Sequence, residues 1–259
     1  MTDASFPLFY QSPRVLTPGE HGERSLAREP GYAFAATTNA VPLVAEELST
    51  AARHFPIVFS DEATPHPVAI LGLRGQQNLF VGADGQWAAG VYVPAYVRRY
   101  PFIFLEDEAR AELTLCIDEA AQALVPGRDR PLFDKQGEPT ALTRSALTFC
   151  RDYQAQHLAA AAFAKALVEA DLLIDHRADV TLRNGERLSL AGFKEIDADR
   201  FAKLPDETFL AWRAKGWLTL AYAHFFSIGS WSTLVDRLGG ARADDTGATL
   251  APMQPPSCP

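Results

Sequence analysis

The chain has 259 residues, of which 47% are hydrophobic and 22% are charged, a balance that argues against general disorder and allows a substantial core. Its net charge of −8 lacks the positive field on which nucleic-acid binding depends, so we expect no nucleic-acid partner. The sequence contains no run of about 18 apolar residues and no recognisable signal peptide, so we expect no membrane span and a cytoplasmic location.

The cysteines and histidines do not form a known metal motif. Cys116, Cys150 and Cys258 are odd in number and include no CxxC pair, so neither a disulfide framework nor a zinc site is indicated, and the first two are expected in the core. The histidines show no HExxH, and the sole HxE, at residues 21–23, lies in a stretch that we interpret as a solvated turn. Phosphate-binding loops and the GxSxG elbow are also absent. We therefore expect no metal and no cofactor.

The first third of the chain predicts an arm followed by a sheet. Residues 1–30 are rich in proline, glycine and charge, which predicts an irregular arm docked through its aromatic residues near position 9. Residues 32–36 are interpreted as a short strand and residues 41–53 as a short helix with Pro42 near its start. Short turns at residues 74–77 and 83–86 separate apolar runs and predict an antiparallel meander, whose strands are residues 55–59, 68–73 and 78–81.

The middle of the chain predicts a hairpin and then a long helix. Residues 92–99 are interpreted as helical or irregular, and two strands follow at residues 102–105 and 112–117. The acids at 106–108 between them are interpreted as a solvated turn. The apolar period then becomes helical over residues 141–173.

Another hairpin and a second long helix complete the pattern. Residues 179–190 alternate around an Asn-Gly turn, and a further short strand is expected at residues 193–196. One helical turn at residues 199–204 precedes a helix over residues 205–228, with a shorter helix after it. The fold class is therefore α+β, a mostly antiparallel sheet packed with two longer helices. We assign a single domain to residues 31–238 and a disordered tail to residues 239–259.

The segment from residue 92 to residue 100 carries the most suggestive binding chemistry, because arginine and tyrosine are enriched at binding hot spots. Its members form either a binding surface or a capped edge of the core. They are Tyr92, Tyr96, Arg98, Arg99 and Tyr100.

An enzymatic alternative combines residues from several parts of the chain. His54, Arg98, Asp118 and His224 would form a cleft for a small molecule, with or without a metal. Asp118 ends a strand and could face Arg98 or Arg99. His224 stands among aromatic residues in a helix, where a core histidine bonded to the backbone is the competing interpretation.

Three segments resemble the SapC family of bacterial proteins. They are HFPIVF followed by a proline-containing loop and LGL; YVPAYVRRYPFIF; and LSLAGFKEID followed by KLPDE and GWLTLAYAHFFS. The resemblance spans roughly residues 30–238 and implies a surface-layer-associated or accessory role, with no established reaction and no catalytic residue. It directs attention to residues 98–102 and 221–226 as a shared surface.

Our leading hypothesis is an accessory protein that binds a protein partner through residues 92–100 and the helix at 206–228. The small-molecule enzyme and a structural surface-layer subunit are the alternatives, and formation of a homo-oligomer stays open.

Overall fold

The computed structural model describes residues 6–107, 112–182 and 185–240. The strands in these ranges are β1 Pro13–Val15, β2 Arg24–Leu26, β3 Ala40–Pro42, β4 Ile57–Ser60, β5 Pro67–Ile70, β6 Phe102–Asp107, β7 Glu112–Asp118, β8 Leu124–Pro126, β9 Leu173–Thr181 and β10 Arg187–Ile196. The helices are α1 Pro18–His21, α2 Leu48–Ala51, α3 Ala95–Arg99, α4 Ala141–Glu169, α5 Ala198–Phe201, α6 Asp206–Ala214, α7 Trp217–Ser227 and α8 Trp231–Gly240.

Antiparallel pairing organises the strands into three sheets within the described ranges. The main sheet has the order β3-β5-β4-β10-β9, a second sheet has the order β1-β7-β6, and β2 pairs with β8. Every ladder of the main sheet is antiparallel. Helices pack against these sheets, so the expected α+β class is confirmed.

The expected meander is correct for two of its three strands. β4 and β5 pair antiparallel, but residues 78–81 do not form a strand. Buried Asn78 donates its side-chain amide to Ala35 O at 3.1 Å and accepts from Phe80 N at 2.9 Å. These local bonds hold a turn where the apolar pattern alone predicts a strand.

The third neighbour comes from upstream, because β3 takes the place expected for residues 78–81 beside β5. The sequence placed β3 inside a helix over residues 41–53, and only residues 45–51 are helical. Val41, Leu43, Val44 and Leu48 are all buried, so their spacing does not distinguish a strand from a helix. Pro42 fits this outcome because β3 is an edge strand.

Both expected hairpins are present. β6 pairs with β7, although residues 108–111 of their connection lie outside the described ranges. β9 and β10 form one long hairpin, and the short strand expected at residues 193–196 is its continuation past an irregularity at Gly192, where φ is 83°. Residues 183–184 of the expected Asn-Gly turn are also outside the described ranges.

The helices are shorter than their apolar periods predict. α4 begins after Thr140, whose hydroxyl accepts from Thr143 N, and it ends four residues before β9 starts. The helix expected over residues 205–228 is divided into α6 and α7 at Gly216, which has a φ of 74°. A residue in the left-handed backbone conformation ends a helix, and glycine adopts this conformation at little cost.

The N-terminal arm is more regular than its composition indicates. Residues 13–26 contain β1, α1 and β2, and the two strands pair with β7 and β8 respectively. The 32–36 segment forms a 3-10 turn at Ala33–Ala35 instead of the expected strand. Of the expected tail, Gly239 and Gly240 belong to α8, and residues 241–259 lie outside the described ranges.

Large apolar side chains fill the interior between the main sheet and the helices. Phe55, Phe59, Phe80 and Phe163 are almost fully buried. Cys116 and Cys150 are buried free thiols, as expected. No helix in the described ranges has both the length and the apolar character to cross a membrane.

Candidate functional site

A cavity of about 540 Å³ opens between the N-terminal arm and α3, and we call it the Arg98 cavity. The arm contributes Gln11 and residues 28–30, and the adjoining residues 31–34 continue the same side. Val97, Arg98 and Tyr100 form the other side, and Gln86 with three residues after β7 completes the wall. The charged and aromatic side chains of the wall, with one amide, are Arg28, Glu29, Tyr32, Phe34, Gln86, Arg98 and Tyr100.

Aromatic packing builds this wall. The rings of Phe34 and Tyr100 are 4.2 Å apart, and Phe9 meets the edge of Phe34 at 5.1 Å. Tyr10 packs on Tyr100 at 5.4 Å and donates its hydroxyl to Phe102 O at 2.6 Å. The arm therefore docks on the body through its aromatic residues, as the sequence indicated.

Arg98 is exposed in the cavity wall, and its guanidinium is held in one orientation. Nε donates to Val93 O at 3.0 Å, and Nη2 donates to the Tyr92 hydroxyl at 3.0 Å. The group also lies over the rings of Tyr92 and Phe149, at 5.5 and 5.2 Å from their centroids. These contacts reduce the conformational entropy that a partner would otherwise have to remove.

A buried carboxylate that the sequence analysis missed supports this arrangement. Glu47 is 5% exposed and accepts from Val44 N at 2.8 Å, Ala95 N at 2.7 Å and the Tyr92 hydroxyl at 3.0 Å. Burial raises the pKa of Glu47, although these hydrogen bonds act in the opposite direction. No sequence motif marks Glu47 as part of this site, since Tyr92 and Ala95 come from a distant segment and only Val44 is nearby in the chain.

Tyr92 connects Glu47 to Arg98. Burial and the neighbouring Glu47 carboxylate raise the pKa of Tyr92 to about 12, so its hydroxyl stays protonated near neutral pH. The hydroxyl donates to Glu47 and accepts from Arg98. The hydrogen-bonded series Glu47–Tyr92–Arg98 therefore holds the exposed guanidinium of Arg98 against the core.

Arg99 has a different environment from Arg98. Its guanidinium lies over three rings, those of Tyr153, Tyr96 and Tyr10, at 4.3, 4.7 and 5.7 Å. The Tyr96 hydroxyl in turn donates to Leu8 O at 3.0 Å, which ties the cluster to the arm. Arg99 and Tyr96 therefore connect the arm, α3 and α4, whereas Arg98 and Tyr100 line the cavity.

Asp118 faces neither arginine. It is fully buried and accepts from Ser12 N at 2.7 Å, Gln11 N at 3.2 Å and the Tyr100 hydroxyl at 3.0 Å. Burial and the Asp118 carboxylate raise the pKa of Tyr100. Asp118 thus fastens the arm to the end of β7.

His224 is buried and uses both ring nitrogens on the backbone. Nδ1 lies 2.8 Å from Ile57 O, and Nε2 accepts from Ile196 N at 3.1 Å. The hydrogen bonds assign the proton to Nδ1. Burial lowers the pKa of His224 to about 4, so the ring is neutral and bridges β4 and β10. This matches the core-histidine interpretation.

The four residues of the enzymatic alternative do not share the Arg98 cavity. Arg98 lines it, whereas His54, Asp118 and His224 are not in its wall. His54 stands beside Phe55, and burial together with Arg53 and Arg237 lowers its pKa. The geometry therefore groups Arg98 with Tyr92 and Tyr100 and places the other candidates elsewhere.

The HxE segment is not the solvated turn that the sequence suggested. His21 is 1% exposed, and its Nε2 lies 3.6 Å from Glu119 Oε1. Glu23 pairs with Arg128 instead. Glu20, His21 and Glu119 each place one potential ligand atom within 4.8 Å of the other two. Among the described residues, these three form the cluster whose spacing is compatible with a metal ion.

A family model described as SapC matches residues 16–234. The chain belongs to the SapC family. No curated protein and no solved structure matches the chain.

The SapC match includes both segments that the resemblance emphasised. Residues 98–102 supply Arg98 and Tyr100 to the cavity. Residues 221–226 lie in α7, where Ala221 and His224 are buried, while Tyr222 and Phe226 are 43% and 77% exposed. These two SapC segments therefore present different chemistry, an anchored cation in one and exposed aromatic rings in the other.

Proposed function

We propose that this SapC-family chain is an accessory protein that binds a protein partner through the Arg98 cavity. The observation that carries the proposal is Arg98 itself, an exposed guanidinium held by Tyr92 and Val93 at the wall of an aromatic cavity. Arginine and tyrosine beside a concave surface are the usual anchors of protein recognition.

The chemistry of the wall defines the expected partner segment. Phe34 and Tyr100 offer apolar and aromatic surface, and Gln86 offers an amide. Arg28 is paired with Asp129, whereas Arg98 donates to a carbonyl and a hydroxyl and lies over aromatic rings. The buried Glu47 carboxylate acts on Arg98 through Tyr92, and Glu29 is the acidic residue of the wall. A loop that presents a carboxylate to Arg98 and an apolar side chain to Phe34 satisfies both features.

The biological setting follows from the family. Resemblance to SapC proteins favours a role in surface-layer or other cell-envelope processes. The bonding of Asp118 and His224 favours binding over catalysis, since both groups satisfy the backbone. Within this proposal the chain assists assembly or handling of an envelope component without transforming a small molecule.

The test combines crosslinking with affinity measurements. A photo-crosslinking residue at Gln86, in the cavity wall, should capture a partner in the native cell, and the same residue at exposed Leu158 serves as the control. The partner identified by mass spectrometry is then titrated by calorimetry. Arg98→Ala should weaken binding about 10-fold or more, roughly 1.4 kcal/mol.

Arg151→Ala is the matched control, because Arg151 is an exposed arginine on α4 outside the cavity wall. It should leave affinity unchanged, and both variants should keep the melting temperature of the wild type. Equal affinity of Arg98→Ala and wild type, or equal capture from both crosslinking positions, would show that the cavity is not the binding surface.

A further inference from the structure

His21 has a buried nitrogen without a hydrogen-bond partner. Its Nε2 makes no hydrogen bond within the part of the chain that the structure describes, although the residue is 1% exposed. The nearest acceptor, Glu119 Oε1, is 3.6 Å away, beyond a good hydrogen bond. A buried nitrogen without a hydrogen-bond partner costs free energy, so the position of Nε2 indicates that a partner is missing.

The other nitrogen of the same ring, Nδ1, is placed to support metal binding through Nε2. Nδ1 lies 3.2 Å from Thr17 O and also 3.2 Å from Thr17 N, so it can donate to the carbonyl or accept from the amide. When Nδ1 carries the proton and donates to that carbonyl, Nε2 presents its lone pair toward Glu119. A backbone carbonyl behind the distal nitrogen is the usual support for a histidine that binds a metal through the other nitrogen.

The spacing of the neighbouring carboxylates fits the same conclusion. Two ligands of one tetrahedral zinc ion, each at about 2.0–2.1 Å from the metal, are about 3.3 Å apart. The 3.6 Å between His21 Nε2 and Glu119 Oε1 is close to that value. Glu20 is exposed and needs only a small side-chain movement from its position within 4.8 Å. Arg14 lies 4.0 Å from the other Glu119 oxygen, Oε2, and leaves Oε1 to the metal.

We propose that Glu20, His21 and Glu119 bind one divalent transition-metal ion of the zinc class. Imidazole with carboxylates is a donor set that zinc accepts, and three protein ligands leave a position for water. Glu20 and His21 belong to the arm, whereas Glu119 follows β7, and Glu119 N already donates to Ser12 O at 3.0 Å. The ion thus fastens the N-terminal arm to the second sheet.

The proposal is tested with full-length protein produced without a histidine tag and treated with chelator. A Cys258→Ser background removes a thiol that could bind zinc by itself. Calorimetric titration with Zn²⁺ should give one site per chain with a dissociation constant in the micromolar range or below. Zn²⁺ should also raise the melting temperature, and Co²⁺ should produce the visible absorption of a four-coordinate site.

Glu119→Gln keeps the size of the side chain and should weaken Zn²⁺ binding at least 10-fold. Glu23→Gln is the matched control, because Glu23 is near in sequence but pairs with Arg128, and it should bind Zn²⁺ like the wild type. Arg98→Ala should also bind normally, which separates this site from the partner surface. Absence of saturable binding up to millimolar Zn²⁺, or wild-type affinity in Glu119→Gln, would overturn the proposal.

Discussion

Three buried polar residues make hydrogen bonds to the backbone. Glu47 accepts from the N–H groups of two segments, Asp118 accepts from the arm, and His224 joins Ile57 O to Ile196 N. Each does so where short or irregular elements leave main-chain groups that need partners. Two of the three looked like catalytic candidates because sequence shows the residue type but not the partner.

His224 should make the protein sensitive to acid. Its pKa is about 4 in the folded state and near 6.5 when unfolded, so the unfolded chain binds an extra proton below pH 6.5. The contribution of neutral His224 to the free energy of unfolding is therefore fully present above pH 6.5. It falls as the pH drops toward 4, by roughly 3 kcal/mol in total. Urea unfolding at a series of pH values measures this loss.

His224→Gln should lower the free energy of unfolding at pH 7, because the amide does not reproduce the two backbone hydrogen bonds of the ring. It should also flatten the acid dependence, because glutamine does not titrate. Leu158→Gln places the same amide at an exposed position on α4 without removing a histidine, so it should keep the wild-type slope. An unchanged slope in His224→Gln would assign the acid sensitivity to other groups.

At the scale of elements, the strand propensity of residues 78–81 does not decide their conformation, because backbone segments approach closely there. Gly72 follows β5, and a Cβ built there would lie 1.9 Å from Gln77 O. The loop after β5 therefore folds back on the strand end, and Asn78 holds it there. This close approach explains why residues 78–81 form a turn although their apolar pattern predicts a strand.

Gly72→Ala should destabilise the fold by about 1–3 kcal/mol, since the added methyl group meets a carbonyl that cannot move without displacing the loop. Gly75→Ala is the control in the same loop, because nothing lies within 4 Å of its added Cβ. Urea unfolding should separate the two variants clearly. Equal stability would mean that the loop relaxes freely.

At the scale of the whole molecule, the arm and the body form the candidate surface together. The arm supplies Gln11 and Arg28 to the cavity, and the body supplies Phe34, Arg98 and Tyr100. Packing of Phe9 on Phe34 and of Tyr10 on Tyr100, together with Asp118, holds the two parts against each other. The Arg98 cavity therefore depends on docking of the arm.

Asp118→Asn should loosen that docking. The amide keeps one acceptor but places an NH₂ group where the carboxylate receives N–H or O–H donors, which costs about 1–3 kcal/mol. We expect faster hydrogen exchange at residues 8–16 and weaker binding of the captured partner. Asp236→Asn, which removes a charge from the exposed side of α8, should alter neither. Wild-type exchange in Asp118→Asn would mean that the aromatic contacts hold the arm without it.

The sequence by itself determined the α+β class, the two hairpins, the long α4 helix, the aromatic docking of the arm and the SapC resemblance. The fold class, the hairpins and the helix depend on periodicity and turn chemistry, which act over a few residues. The resemblance depends instead on the three matching segments. It also placed attention on residues 92–100, where the cavity lies.

Only the tertiary structure separated Arg98 from Arg99, replaced the third meander strand by β3, and brought His21 to Glu119. Each of these outcomes joins residues far apart in the chain, such as Arg99 with Tyr10 and Tyr153, or His21 with Glu119. A side chain becomes a surface anchor, a core bridge or a metal ligand according to the desolvation and the partners that folding assigns to it.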